Sequence, residues 1–270
     1  MGHQFAQHHE AEVPAGPAEV WAAIATGPGI DSWFMGRNEV TAGTVRTVFG
    51  EYAPELEITE SDPAHRFAYR SGQAPDGRFI AYEFLIEGRA GGTTVLRIVT
   101  SGFLPGEDWA DEFEAMTLGG ELYFRTLVEY LTYFAGRFAT PVTAFGPPGP
   151  SGPPGPSSPS GPSWTRDRSL LCGELGLAEA PHPGDPVRLT GEIGPADGVV
   201  YFANANAIGV RTPDALYRFM RGFGKPVIAA HHVFAAKADA DQARQAWEAW
   251  LSRTLASPSE HEITNGRTEK

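Results

Sequence analysis

The chain of 270 residues holds one cysteine, Cys172. A lone cysteine excludes an internal disulfide and fits a reducing compartment. Lysine is almost as scarce, with three in the chain and none before residue 225, against 18 arginines. With 32 glycines and 23 prolines, that bias fits a GC-rich bacterial genome. No stretch approaches the ~18 consecutive apolar residues of a membrane-spanning helix. The opening Met1–Val13 has neither the basic start nor the apolar core of a secretory signal. A cytoplasmic location is the expectation.

Recognisable chemistry is also missing. The eight histidines include no pair at H-x-x-x-H spacing with a third ligand, so no metal site is expected. There is no G-x-S-x-G nucleophile elbow. The run Gly222–Val227 contains Gly-Lys without the spacing or the Ser/Thr of a phosphate-binding loop. Asp111 and Glu112 suit a helix N-terminus better than acid–base work. No catalytic residue and no cofactor is assigned, and the non-enzymatic reading is preferred.

Charge is distributed unevenly. Residues 1–142 carry 20 Asp/Glu and 9 Arg, whereas residues 163–270 carry 13 acidic and 12 basic residues. An acidic first half repels phosphate backbones and anionic lipid heads, which argues against nucleic-acid and membrane partners. The break between the halves is the Pro/Gly/Ser-rich run Gly146–Ser163. Its glycines recur every third residue for only four triplets, too few for a collagen helix, so a polyproline-type linker is expected. The expected organisation is a first domain over 1–142, a linker over 143–163, a small α+β domain over 164–256 and a disordered tail over 257–270.

In the first domain, Phe5–Val13 alternates as a strand. Pro17 and Glu19 suit the first turn of a helix carrying Val20, Trp21 and Ile24, ended by Gly27-Pro28-Gly29. A second short helical turn is expected over Ile30–Phe34. The period then switches to two through five strands, near 45–50, 55–61, 65–71, 79–88 and 93–103. Turn-formers such as Asp62-Pro63 and Pro75-Asp76-Gly77 divide them. Ile80, Tyr82, Phe84 and Ile86 share one face, with Glu83 and Glu87 on the other. The last element, Trp109 to about Arg137, places Met116, Tyr123, Leu127, Tyr130, Leu131 and Phe134 on one helical stripe, interrupted by Gly119-Gly120. An apolar sheet face must be covered, and only this helix is long enough to cover it. The fold class is therefore α+β, a curved antiparallel sheet gripping a long C-terminal helix.

The order of elements, the opening Val13-Pro14-Ala15 with Pro17, Glu19, Val20, Trp21, Ala23 and Ile24, and Asp31-Ser32-Trp33-Phe34 resemble the START-like, SRPBCC helix-grip superfamily. The similarity is to the branch of homologues of the heat-shock chaperone ATPase activators, over roughly residues 5–138. The resemblance implies an apolar cavity between sheet and helix, holding a hydrophobic small molecule. The implied lining is Trp33, Phe34, Phe67, Tyr69, Tyr82, Phe84, Leu96, Ile98, Trp109, Met116, Tyr123 and Leu127. Ordinary core packing is the competing reading for each of these. The resemblance also leaves open a chaperone-regulating or other protein-interaction role. Against this stands the lack of a separate N-terminal stimulating domain. A polyketide-cyclase-like or hydrolytic activity ranks third.

The second domain reads less clearly. Val199–Phe202, Ala207–Val210 and Pro226–Ala235 look like strands. Thr212-Pro213-Asp214 reads as a helix start for Ala215–Arg221, and Ala240–Leu255 as a closing amphipathic helix. The domain is either a shortened second helix-grip unit or an unrelated α+β fold. At this size it is expected to pack on the first domain or on a second copy of the chain.

Overall fold

The structure is a computed structural model that describes residues 2–50, 52–107, 109–147, 162–190, 195–222, 225–236 and 238–256. The expected linker falls mostly, and the expected tail wholly, outside these residues.

The first unit opens with β1 (His3–Val13), then α1 (Pro17–Ala25) and α2 (Gly27–Ile30). Pro17 stands at the α1 start, and the Glu19 carboxylate accepts from the Gly16 amide at 2.8 Å, so the helix entry is capped as its sequence suggests. α1 ends at Ala25, just before Gly27-Pro28-Gly29 as expected, but the second short helix begins on those residues and not at Ile30. Thr26 caps it, its hydroxyl accepting from Gly29 N at 3.1 Å. Six strands follow: β2 (Arg37–Val40), β3 (Thr44–Val48), β4 (Glu55–Asp62), β5 (Arg66–Arg70), β6 (Phe79–Gly88) and β7 (Thr94–Leu104). All neighbours are antiparallel, in the order β1-β7-β6-β5-β4-β3-β2. The helix α3 (Trp109–Tyr133) crosses the inner face of this sheet.

The second unit repeats the plan. It runs β8 (Thr140–Phe145), α4 (Pro162–Glu174), β9 (Pro186–Leu189), β10 (Ala196–Asn204), β11 (Ala207–Thr212), β12 (Ala215–Gly222), β13 (Lys225–Val233) and α5 (Ala240–Thr254). Its sheet order is β8-β13-β12-β11-β10-β9. In both units the first strand pairs with the last, the others form a meander, helix precedes the meander, and a final helix packs on the sheet. The second unit is a shortened helix-grip with one strand fewer. Strand β8, which crosses position 142, pairs with β13 and so belongs to this second sheet.

Residues 215–221 are a strand and not the expected helix. Pro213 and Asp214 form a two-residue hairpin turn, with Thr212 opposite Ala215. The run Ala-Leu-Tyr-Arg-Phe-Met hid its period of two because β12 is covered on both faces, as continuous apolar runs in sheets usually are. Tyr217 and Phe219 face α5, where Trp247 lies 5.4 and 5.7 Å from their rings. Leu216 joins the core of the first unit.

That second contact fixes the relation between the units. α3 carries two stripes. Phe124, Leu127 and Leu131, continued by Phe134 just past the helix end, join the core of the first unit. On the opposite side Leu122, Thr126, Glu129 and Tyr133 meet the outer face of the second sheet. There Thr126 Oγ1 and the Tyr201 hydroxyl lie 2.9 Å apart, Arg211 binds Glu129 at 2.5 Å, and the Arg211 guanidinium lies 3.7 Å from the Tyr133 ring centroid. α3 is thus enclosed between two sheets, and the second unit packs on the first.

Candidate functional site

Strand register builds the inner face of the first sheet in rows. Tyr69 on β5 stands opposite Tyr82 on β6, Tyr82 opposite Thr100 on β7, and Thr100 opposite Gln7 on β1. This is a row of three hydroxyls and an amide. The neighbouring row, Phe67, Phe84, Ile98 and His9, is apolar except at its end, where His9 stacks on Phe124 of α3 at 5.0 Å. Gln7 Nε2 donates to Thr117 Oγ1 of α3 at 2.6 Å. Gly120 faces β1, where a Cβ would make only ordinary contacts with Gln7 Oε1 at 3.4 Å and His9 Nε2 at 3.6 Å.

The expected lining separates into three groups. Trp33, Phe67, Tyr69, Phe84, Leu96, Ile98 and Leu127 are buried in one core cluster. Phe34, Tyr82 and Tyr123 are half-buried and pack against it. Phe34 and Tyr123 lie 4.7 Å apart, and Tyr69 and Tyr82 5.3 Å apart. Trp109 and Met116 stand apart from that cluster. Trp109 stacks on His3 at 4.0 Å at the start of α3, and Met116 is half-buried on the same half-helix. No described side chain of α3 before Leu122 is fully buried, so the open half of the grip lies there.

The tyrosine hydroxyls are the chemically informative atoms. Tyr130 donates to the Arg137 carbonyl at 2.9 Å, with burial raising its pKa to about 12. Tyr201 is engaged by Thr126, and burial likewise raises it to about 12. Tyr69, Tyr82 and Tyr123 have no hydrogen-bond partner among the described residues. Burial pushes all three hydroxyls well above the usual phenol range. Their oxygens are nevertheless not sealed from a water-sized neighbour, in contrast to the partnerless ring nitrogens His231 Nε2 and His232 Nε2. Tyr69 is buried, whereas Tyr82 and Tyr123 are half-buried, so the three hydroxyls sit on the inner face of the grip without a protein partner.

Sequence reasoning missed the contribution of the second unit. Arg218 on β12 is 1% exposed and reaches the first unit's wall. Its Nη1 donates to the Trp33 carbonyl and its Nη2 to the Phe34 carbonyl, each at 3.0 Å, and its Nε to Ala230 O at 3.0 Å. Its guanidinium carbon lies 5.2 Å from the Tyr123 ring centroid. His232 Nδ1 donates to the Asp31 carbonyl at 2.8 Å. A misread strand hid the role of Arg218; the signal available was an arginine inside an otherwise apolar run. Gln7, His9 and Thr100 were visible as polar residues at inward positions of strands.

A separate surface groove of about 250 Å³, lined by Arg37, Val48, Phe49, Pro141 and Phe145 among others, contains none of the expected residues. Among the described residues no cluster of three His, Cys, Asp or Glu side chains is placed to hold a metal ion. No helix there is long and apolar enough to cross a membrane.

No family model matches the chain, and no curated protein sequence matches it. Among solved structures it is similar to a Mesorhizobium loti protein, at 20% identity and TM-score 0.40, over 47% of this chain and 96% of that one. It is similar to the Aha1 dimer from Colwellia psychrerythraea at 19% identity and TM-score 0.40, over 49% of this chain and 99% of that one. The di-domain ARO/CYC BexL of the BE-7585A biosynthetic pathway spans both units. It covers 94% of this chain and 100% of its own, at 14% identity and TM-score 0.43. At these values the likenesses say nothing of chemistry, and the double helix-grip fold stands on the topology of the two sheets.

Proposed function

We propose that the first unit binds a hydrophobic small molecule between its sheet and the open half of α3. The observation that carries this reading is the trio of partnerless hydroxyls on Tyr69, Tyr82 and Tyr123, set among apolar side chains on the inner face. A buried hydroxyl without a partner costs free energy, which a ligand or water facing it offsets. The walls around them, Phe34, Phe84 and Trp33, are apolar. The driving force is burial of apolar ligand surface at about 25 cal/mol per Å², reduced by the costs of association. The second unit closes this site from behind α3.

The competing protein-interaction reading, with a chaperone or another protein as partner, would use the charged outer face of the first sheet. There Arg66 pairs with Glu83, Arg97 with Glu10 and Glu87, and Arg89 with Glu87. A protein docking there would compete with ion pairs that are already made, which favours the ligand reading.

Titration with N-phenyl-1-naphthylamine, a neutral probe that fluoresces in apolar surroundings, tests the proposal. Saturable binding that Tyr82→Ala weakens several-fold, with the fold retained, is expected. Unchanged affinity in that variant would remove the site.

A further inference from the structure

We infer that the bound molecule carries an acidic group, a phenol or carboxylate, and that Arg218 of the second unit is its counter-charge; this rests on the binding site proposed above. Arg218 is a buried cation without an acid. No carboxylate lies within ion-pair distance of it among the described residues, and the aromatic face it meets is that of the neutral Tyr123 ring, whose centroid lies 5.2 Å from the guanidinium carbon. The acids of this region are engaged elsewhere. Glu129 pairs with Arg211, and Asp31 Oδ1 accepts from the Asn38 amide at 2.6 Å and from its side chain at 3.1 Å.

Taking a cation out of water costs several kcal/mol unless an anion or a full set of dipoles replaces the solvent. Arg218 has three carbonyls for its five N–H groups. Burial disfavours its charge, yet an arginine keeps its proton at any ordinary pH. A fixed positive charge therefore stands beside Phe34 and Tyr123, the half-buried aromatic wall of the site. An apolar cavity by itself raises the pKa of an acid that enters it, whereas a neighbouring cation lowers it. The sign of that shift separates a plain hydrophobic pocket from one built for an acidic aromatic molecule.

The test uses the full-length protein and 4-nitrophenol, whose ionised form absorbs in the visible. Displacement of N-phenyl-1-naphthylamine by the phenol establishes that both occupy one site. The bound phenol is expected to ionise about one pH unit below the free phenol, equivalent to about tenfold tighter binding of its anion. Arg218→Gln should remove that depression while the neutral probe still binds, and Arg218→Lys should keep part of it. Ionisation at or above the free value in the unsubstituted protein overturns the role of Arg218 and leaves the cavity standing. Failure of the neutral probe to bind at all overturns the cavity, and the inference with it. The decisive readout needs no variant, so an Arg218 variant that does not fold leaves the test intact.

Discussion

The Tyr201 ring lies across Gly209, where a Cβ would sit 2.5 Å from its Cζ. The register slips between Val200 and Phe202, and this bulge turns both Tyr201 and Phe202 toward α3. Gly209 is the open place over which the aromatic ring can lie. Gly209→Ala is expected to destabilise the protein by about 1–3 kcal/mol, the usual cost of forcing an extra methyl into a packed site. Urea unfolding measures it. The Tyr201–Thr126 contact should break with it, so Thr126→Val, worth about 1 kcal/mol alone, should add little in the Gly209→Ala background.

The interface helix gives a second expectation. Arg211 binds Glu129 and covers the Tyr133 ring. Arg211→Ala should cost about 1–2 kcal/mol from a half-buried ion pair and a cation–π contact together. Denaturation followed by tryptophan fluorescence reads it.

Acid should weaken the protein by a defined route. Burial and the Arg218 charge hold His231 and His232 well below the ordinary histidine pKa. Each is therefore neutral when folded and protonates at about pH 6.5 when unfolded. The unfolded chain binds more protons below that point, so stability is full above about pH 6.5 and falls as the pH drops. Thermal melts at pH 7.5, 6 and 5 should show a progressive decline, and replacing both histidines should flatten it. A flat profile in the unsubstituted protein would mean that the two rings are not buried as described.

The grip on α5 is aromatic. Trp247 lies 4.2 Å from His231, 5.3 Å from Trp250 and 5.7 Å from Phe219, measured between ring centroids. Trp247→Ala should cost about 3–5 kcal/mol, as truncation of a fully packed aromatic does. Calorimetry checks it.

The first unit was legible because charged residues alternate with apolar ones along several of its strands. Phe67 and Tyr69 alternate with Arg66 and Arg70, and Tyr82 and Phe84 with Glu83. The short β2 was missed because Arg37–Val40 offers too few residues to show a period. In the second unit β12 is covered on both sides, so its alternation vanished and Arg218 went unassigned. α3 showed its apolar stripe at once. Its second stripe, Leu122, Thr126, Glu129 and Tyr133, is polar enough to resemble a solvated face. Those side chains meet partners supplied by the other unit, and no local pattern announces a partner some 80 residues away in the chain. Among the candidate lining residues, sequence marked the aromatic walls but could not tell which tyrosine hydroxyls, such as that of Tyr82, are left without a protein partner.

A ligand seated against the partnerless tyrosines is detectable by magnetisation transfer. With tyrosine rings isotopically labelled and N-phenyl-1-naphthylamine bound, cross-relaxation should connect the probe to the rings of Tyr69, Tyr82 and Tyr123. Transfer confined to Tyr52 and Tyr133, which are 61% and 53% exposed, would place the probe on the outer surface and contradict the account.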